Sequence, residues 1–328
     1  MFRMVSGLES RGHECVICLY DPAEGDLDTQ REAVRRGWPH VRAEVRRVGD
    51  GFDDLDACVA TSWETAHVLA ARSRTVAIRR LYFVQDFEPY FYARGGMYAL
   101  AEDTYRFGFR TIALGEMVAR NLRDEVGIEP DVVPFGCATD DYYLLPGAQD
   151  RRGVVFYAKP SVPRRGYDLA RLALTEFHRR HPEQPIHIYG DPVPELPVPA
   201  VRHGKLAVPE LNALYNRSIA GLAMSFTNIS LVAEEMLAAG TIPVVNDSSD
   251  SRADLDNPHV LWADPRPSGL ADALSTAVER ADVAGSAAAA ARSVAARSWV
   301  PTQSLVADIV EDEVYGARAR RREGSAHG

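Results

Sequence analysis

The chain has 328 residues, 46% of them hydrophobic and 25% charged, with a formal net charge of -9. That length exceeds what one hydrophobic core usually serves, so two domains of roughly 150 residues each are expected, and the acidic balance argues against a nucleic-acid partner. No apolar run approaches ~18 residues, so no membrane-spanning helix is expected, and no secretory leader is visible.

In chain order, Met1 to Arg11 reads as an amphipathic helix, Gly12-His13 as its stop and Glu14 to Leu19 as a strand. An alternating strand and helix domain normally opens with a strand and a glycine-rich loop. The order here is that of a first domain lacking its first strand, as in an incomplete chain or a reading frame begun at an internal methionine. Strands are predicted at 43–47, 57–60, 75–84, 111–114 and 132–134, with helices at 63–72, 97–107 and 116–125. That alternation implies a mostly parallel sheet with helices on both faces. The polar stretch Asp140 to Arg152, with Pro146 and Gly147, reads as an interdomain linker. A second alternation follows, with strands at 154–158, 186–189, 220–224, 242–245 and 260–262. The alanine-rich 268–297 and then 302–315 are predicted helical.

The four cysteines are too few and too scattered for a disulfide framework, which fits a reducing cytoplasm. Cys15 and Cys18 have redox-pair spacing, but a strand period of two sends them to opposite faces, and they read as buried structural thiols. The nine histidines show no metal-ligand spacing with an acidic third member, so no metal and no cofactor are expected. The basic block Arg318 to Arg322 reads as a solvated tail, with weak contact to an anionic membrane as the lesser reading.

The segment 225–245 is the most informative. Ser225, Thr227, Asn228 and Ser230 precede a short acidic helix, then Gly240 and the apolar strand from Ile242 to Val245. A helix starting near Ser230 presents unpaired N–H groups and a positive dipole end, which suits a phosphate, and the hydroxyl and amide side chains add donors. Glu235 lies just inside that helix, placed to accept hydrogen bonds from a ribose. Capped strand-helix-strand crossovers without a ligand use the same residue types. Lys159, ending the 154–158 strand, and Arg164-Arg165, just before the next helix, are candidate phosphate cations, Lys159 as a compact charge and Arg165 as a planar fork. Gly190-Asp191 closes the 186–189 strand and is expected near a base or ribose. Gln85, Asp86 and Glu88 interrupt the aromatic strand end that runs from Tyr82 to Tyr92.

Segment 225–245 resembles the donor-site motif of family 4 retaining glycosyltransferases. Glu235 falls on the second glutamate of that family's pair, and Thr227 occupies the place of the first. Tyr82 to Pro89, Pro134-Phe135-Gly136, Tyr157 to Pro160 with Arg164 to Gly166, and the Ser-x-Thr-Asn-x-Ser run itself resemble bacterial rhamnosyltransferases of the WsaF type. The resemblance implies an α/β GT-B fold: two Rossmann-like doubly wound domains facing across a cleft, the first lacking its first strand. It divides the chain into an acceptor-binding domain, 1–145, a nucleotide-sugar domain, 146–300, a helix packing back on the first domain, 301–316, and a disordered tail, 317–328. It implies transfer of a sugar, with L-rhamnose from dTDP-rhamnose as one candidate, onto a glycan or lipid-linked glycan at the cytoplasmic membrane face. UDP- and GDP-sugars stay open as donors. Lys159 and Arg165 would stabilise the leaving diphosphate, Arg164 being interchangeable with Arg165. Asp86 would contact acceptor or sugar, and Gln85, Glu88 and Tyr92 would border the acceptor. Gly204 to Leu206 resembles the family's segment beside the base. A nucleotide-binding partner subunit without transfer activity is the alternative, given Thr227 and the absent first strand.

Overall fold

The computed structural model describes residues 1–21, 25–147 and 150–316, so the expected tail and its basic block lie outside the described residues. The chain forms two compact units, one from Met1–Phe135 with the segment from Trp299 onward, the other from Gly136–Ser298.

Unit 1 runs α1 (Phe2–Ser10), β1 (Val16–Leu19), α2 (Leu27–Gly37), β2 (Glu44–Arg47), β3 (Ala57–Ala60), α3 (Trp63–Arg72), β4 (Arg79–Val84), α4 (Gly96–Asp103), β5 (Arg110–Leu114), α5 (Glu116–Asn121) and β6 (Asp131–Val133). All strand pairs are parallel. They fall into two sheets, β1-β2 and β3-β4-β5-β6, so β1 and β3 are not hydrogen-bonded neighbours. Leu81, Tyr82, Phe83 and Val84 of β4 are all buried, as a parallel strand covered on both faces requires.

Unit 2 runs β7 (Val154–Ala158), α6 (Tyr167–Arg180), β8 (Ile186–Gly190), β9 (Val201–Gly204), α7 (Val208–Arg217), β10 (Ala220–Leu222), α8 (Leu231–Ala238), β11 (Ile242–Asn246), α9 (Ser249–Asp254), β12 (Leu261–Ala263), α10 (Pro267–Val278) and α11 (Val283–Val294). One parallel sheet has the order β12-β11-β10-β7-β8-β9. The chain therefore reverses direction of growth between β7 and β10, and the carboxyl ends of those two strands flank a topological switch point. Helix α12 (Val300–Tyr315) returns to unit 1, where it packs on α1, β4 and β6. Arg110 of β5 fixes it through an ion pair to Asp312 at 2.9 Å, and Arg11 through one to Asp308 at 2.7 Å.

Two expectations about organisation change. The units separate after Phe135 rather than after 145. Of the stretch read as a linker, Tyr142 is buried in unit 2, and Arg151, 5% exposed, donates to the carbonyls of Tyr215, Ser218 and Ala239 at 3.1, 3.0 and 2.6 Å. Burial lowers its guanidinium to about 10, and three carbonyl acceptors replace the water it has lost. Cys15 and Cys18 are half-buried rather than buried, and desolvation raises both thiols, Cys15 to about 11, which keeps them protonated and unreactive.

Candidate functional site

The candidate residues form two groups, one in each unit. In unit 2, the loops after β7 and β10 meet at the switch point. Lys159 directly follows β7, and its Nζ lies 5.5 Å from the ring centroid of Tyr157. The Tyr157 ring stacks on Tyr189 at 5.0 Å, and the Tyr189 and Tyr215 hydroxyls are hydrogen-bonded. A packed tyrosine column thus supports the lysine from below. Arg164 and Arg165 sit on the short turn Pro163–Arg165, which leads through Gly166 into α6. Gly166 has φ 65° and faces Met224 and Phe226 so closely that a Cβ would stand 2.9 Å from the Met224 methyl. The Arg164 carbonyl accepts the Phe226 N–H at 2.9 Å. The two loops are therefore one packed unit, with Arg164 and Arg165 beside the 225–230 segment.

Ser225, Thr227, Asn228 and Ser230 are all buried, whereas Phe226 among them is 45% exposed. The Ser225 backbone is clasped by Asn246 at the end of β11, yet its hydroxyl has no hydrogen-bond partner. Ser230 is the N-cap of α8, and its side chain makes no capping bond. The Ser225 hydroxyl and the N-terminus of α8 are thus polar groups that no side chain of the protein caps. Of the consecutive glutamates, Glu234 turns inward, 1% exposed and 3.0 Å from Arg297, while Glu235 is half-buried and its charge acts on Tyr189 and Tyr215. Gly190 ends β8 with φ 114°, and a Cβ there would lie 2.5 Å from the Ala158 carbonyl oxygen. Only glycine allows that close approach beside Lys159. Asn246 was not among the residues the sequence singled out. The sole signal for Asn246 was a polar residue ending an apolar strand.

In unit 1, Gln85, Asp86, Glu88 and Tyr92 cluster after β4. Gln85 is half-buried and donates to the Thr61 carbonyl at 3.3 Å, and Asp86 is 6% exposed. Glu88, expected to border an acceptor, is 6% exposed. Its Oε2 accepts the Trp63 N–H at the start of α3 at 2.5 Å and the Tyr82 hydroxyl at 3.0 Å. Burial, ahead of those hydrogen bonds, pushes its carboxyl up to about 7. Tyr92 is half-buried and accepts the Trp63 indole N–H at 3.0 Å.

Family models for the WsaF N-terminal domain and the WsaF C-terminal domain match residues 48–117 and 152–275, together over half of the chain. The chain belongs to the WsaF type of GT-B glycosyltransferases. This WsaF-type chain is 31% identical over 319 residues to the O-antigen biosynthesis protein RfbC of Myxococcus xanthus, a match covering 91% of the chain and 24% of the relative. It thus spans about a quarter of that relative's length. Among solved structures, Anabaena HepE in complex with UDP and glucose superposes with a TM-score of 0.70 at 16% identity, covering 94% of this chain and 93% of that one. WaaG, a glycosyltransferase of lipopolysaccharide biosynthesis, does so with a TM-score of 0.64 at 14% identity, covering 94% of each chain. At those identities the likeness carries the fold. The WsaF-type C-terminal match takes in every candidate residue of unit 2.

Proposed function

We propose that this chain is a retaining glycosyltransferase in polysaccharide biosynthesis, with a nucleotide-diphosphate sugar as donor and a glycan or lipid-linked glycan as acceptor, working at the cytoplasmic membrane face. L-Rhamnose from dTDP-rhamnose is the proposed sugar. The observation that carries the reading is the pairing of Lys159 and Arg165 with the uncapped α8 N-terminus across the switch point of unit 2.

In the reaction the bond from the anomeric carbon to the diphosphate oxygen breaks, and a bond to the acceptor oxygen forms on the same face. Negative charge grows on the diphosphate as it leaves. Lys159 supplies a compact positive charge, Arg165 a planar pair of donors with Arg164 beside it, and the first N–H groups of α8 add dipoles that need no reorganisation. The Ser225 and Ser230 hydroxyls, with Thr227 and Asn228, complete the anion's shell, and Glu235 accepts hydrogen bonds from the ribose. The departing phosphate oxygen takes the acceptor proton, so Asp86 orients acceptor or sugar and is not required as a base. Because these groups neutralise the leaving charge, transfer is expected to survive a metal chelator.

The reading is tested by incubating the protein with dTDP-L-rhamnose, UDP-glucose and GDP-mannose in turn, with lipid-linked glycan extract and EDTA, and assigning the product's anomeric configuration by NMR. Transfer with retention from one donor supports it, and inversion contradicts the mechanism. A second reading is favoured by Thr227, buried where the resemblance expects a carboxylate: a subunit that binds nucleotide without transferring. Diphosphate binding with no transfer from any donor would select it.

A further inference from the structure

Lys159 and Lys205 are the two lysines among the 37 lysines and arginines of the chain. Both lie in unit 2 beyond carboxyl ends of its strands, Lys159 after β7 and Lys205 after β9, yet their surroundings differ. The Lys205 Nζ stands 3.8 Å from a carboxylate oxygen of Asp191. Lys159 is half-buried, and among the described residues its ammonium meets no carboxylate; what it meets is the face of the Tyr157 ring, 5.5 Å from Nζ to centroid. That ring is held in turn. Tyr157 and Tyr189 are register partners on β7 and β8, and their rings stack at 5.0 Å with 16° between planes. Tyr189, 5% exposed, is hydrogen-bonded through its hydroxyl to that of the fully buried Tyr215, and a Cβ at Gly190 would stand 3.0 Å from two ring carbons of Tyr157. The Tyr157 ring is therefore fixed by buried neighbours, and the ammonium lies over a rigid support.

We infer that Tyr157 is the positioning residue of Lys159, its ring holding the ammonium ready for the leaving diphosphate without neutralising it. The inference takes its ligand from the nucleotide-sugar reading of the same unit and adds the group that prepares the cation. A carboxylate in that place would orient the lysine equally well, but it would cancel the positive charge and repel the diphosphate. An aromatic ring attracts a cation through its quadrupole and carries no net charge, so the whole charge stays available to the anion. The ring also limits the freedom of a four-carbon stem, and an ammonium already held in place loses less entropy when the diphosphate arrives. At the usual strength of a cation–ring contact, removing the ring is worth about three- to tenfold in affinity. The role belongs to the ring, so phenylalanine should fill it as well as tyrosine.

The test is calorimetric titration of the full chain and its variants with UDP, dTDP, GDP and inorganic pyrophosphate. Tyr157→Leu should bind the tightest of these about three- to tenfold more weakly, and Tyr157→Phe within about twofold of the unaltered chain. In a Lys159→Met background, adding Tyr157→Leu should change affinity by less than about twofold, since the ring then has no cation to hold. A merely structural tyrosine would cost as much in that background as in the unaltered chain. That result overturns the inference, as does equal loss in Tyr157→Phe or no loss in Tyr157→Leu. A second measurement needs no ring variant. With lysine labelled at its ε-carbon the chain gives two NMR signals, assigned with Lys205→Met, and the ring current of Tyr157 should displace the Lys159 ε-protons upfield of those of Lys205. Coincident signals would mean that the ammonium does not lie over the ring, and overturn the inference. Absence of binding by every diphosphate and by pyrophosphate in the unaltered chain would overturn the nucleotide reading and the role built on it, while a displaced Lys159 signal would still establish the contact itself.

Discussion

Asn246 holds Ser225 by both of its backbone polar groups: the amide Nδ2 donates to the Ser225 carbonyl at 2.7 Å, and Oδ1 accepts the Ser225 N–H at 2.9 Å. Both residues are buried, so the end of β11 fixes where the 225–230 loop after β10 begins. In Asn246→Ala a buried N–H and a buried C=O lose their partners, at about 1–3 kcal/mol each. The melting temperature should fall and UDP binding should weaken by about tenfold or more. Melting curves and calorimetry check this, and a variant with unchanged affinity would show that the loop is positioned by other contacts.

Glu88 makes stability depend on pH. Its carboxyl is raised from 4.5 to about 7, chiefly by burial. The folded state therefore holds a proton that the unfolded state gives up, and the group's contribution is full below pH ~4.5 and lost as pH rises through ~7. At 1.36 kcal/mol per pKa unit the span is about 3 kcal/mol. Glu88→Gln keeps an acceptor for the Trp63 N–H but removes the charge. Urea unfolding should show the variant more stable than the unaltered chain at pH 8, with the gap closing toward pH 5. Parallel curves for the two proteins would mean that Glu88 is not the titrating group.

Arg297 compensates Glu234, which is 1% exposed and whose carboxyl is raised by burial. Only Glu234 is buried, Arg297 being 34% exposed, so removing the arginine costs less than the ~3–5 kcal/mol of a fully buried pair, since water screens its side of the contact. Arg297→Ala should lower the unfolding midpoint at pH 8, and Glu234→Gln placed on that background should recover part of the loss. No recovery would assign the cost to lost packing of the arginine stem.

Arg165→Ala should weaken diphosphate binding by about 1.5–3 kcal/mol, the worth of a hydrogen bond to a charged group. Asp86→Ala should abolish turnover with nucleotide affinity retained. Calorimetry beside a transfer assay separates the two, and equal loss of both properties in Asp86→Ala would give that residue a structural role.

Much of the fold was legible because local signals agreed. Strand β3 and helix α3 occur at the expected 57–60 and 63–72, since Ser62 and Thr65 form a capping box between an apolar run and an amphipathic one. Strand β7 matches at 154–158, where Lys159-Pro160 ends an unbroken apolar run. Strand β9 escaped notice because it pairs only with β8 and carries Arg202 and His203 on an exposed edge. Helix α2 escaped because Val34 is its sole buried residue. The burial of Arg151 and Glu88 was not legible for one physical reason: a charged residue in a polar or aromatic stretch suggests exposure, and the partners that make burial tolerable come from distant segments. In unit 2 the order of strand end, basic turn and helix start put Lys159, Arg164, Arg165 and Ser230 on the elements where the structure has them, whereas the Asn246 clasp on the Ser225 backbone joins segments about twenty residues apart and carries no local pattern.

The most direct measurement is thermal unfolding of the chain and of a Lys159→Ala, Arg165→Ala double variant, with excess dTDP, UDP, GDP and ADP in parallel and no added metal. Ligand at about 100 times its dissociation constant stabilises by ~2.7 kcal/mol, a clear rise in midpoint. At least one diphosphate is expected to raise the midpoint of the unaltered chain and to leave that of the double variant unchanged. No shift with any diphosphate, or equal shifts in both proteins, would contradict a nucleotide-diphosphate site built on Lys159, Arg165 and the N-terminus of α8.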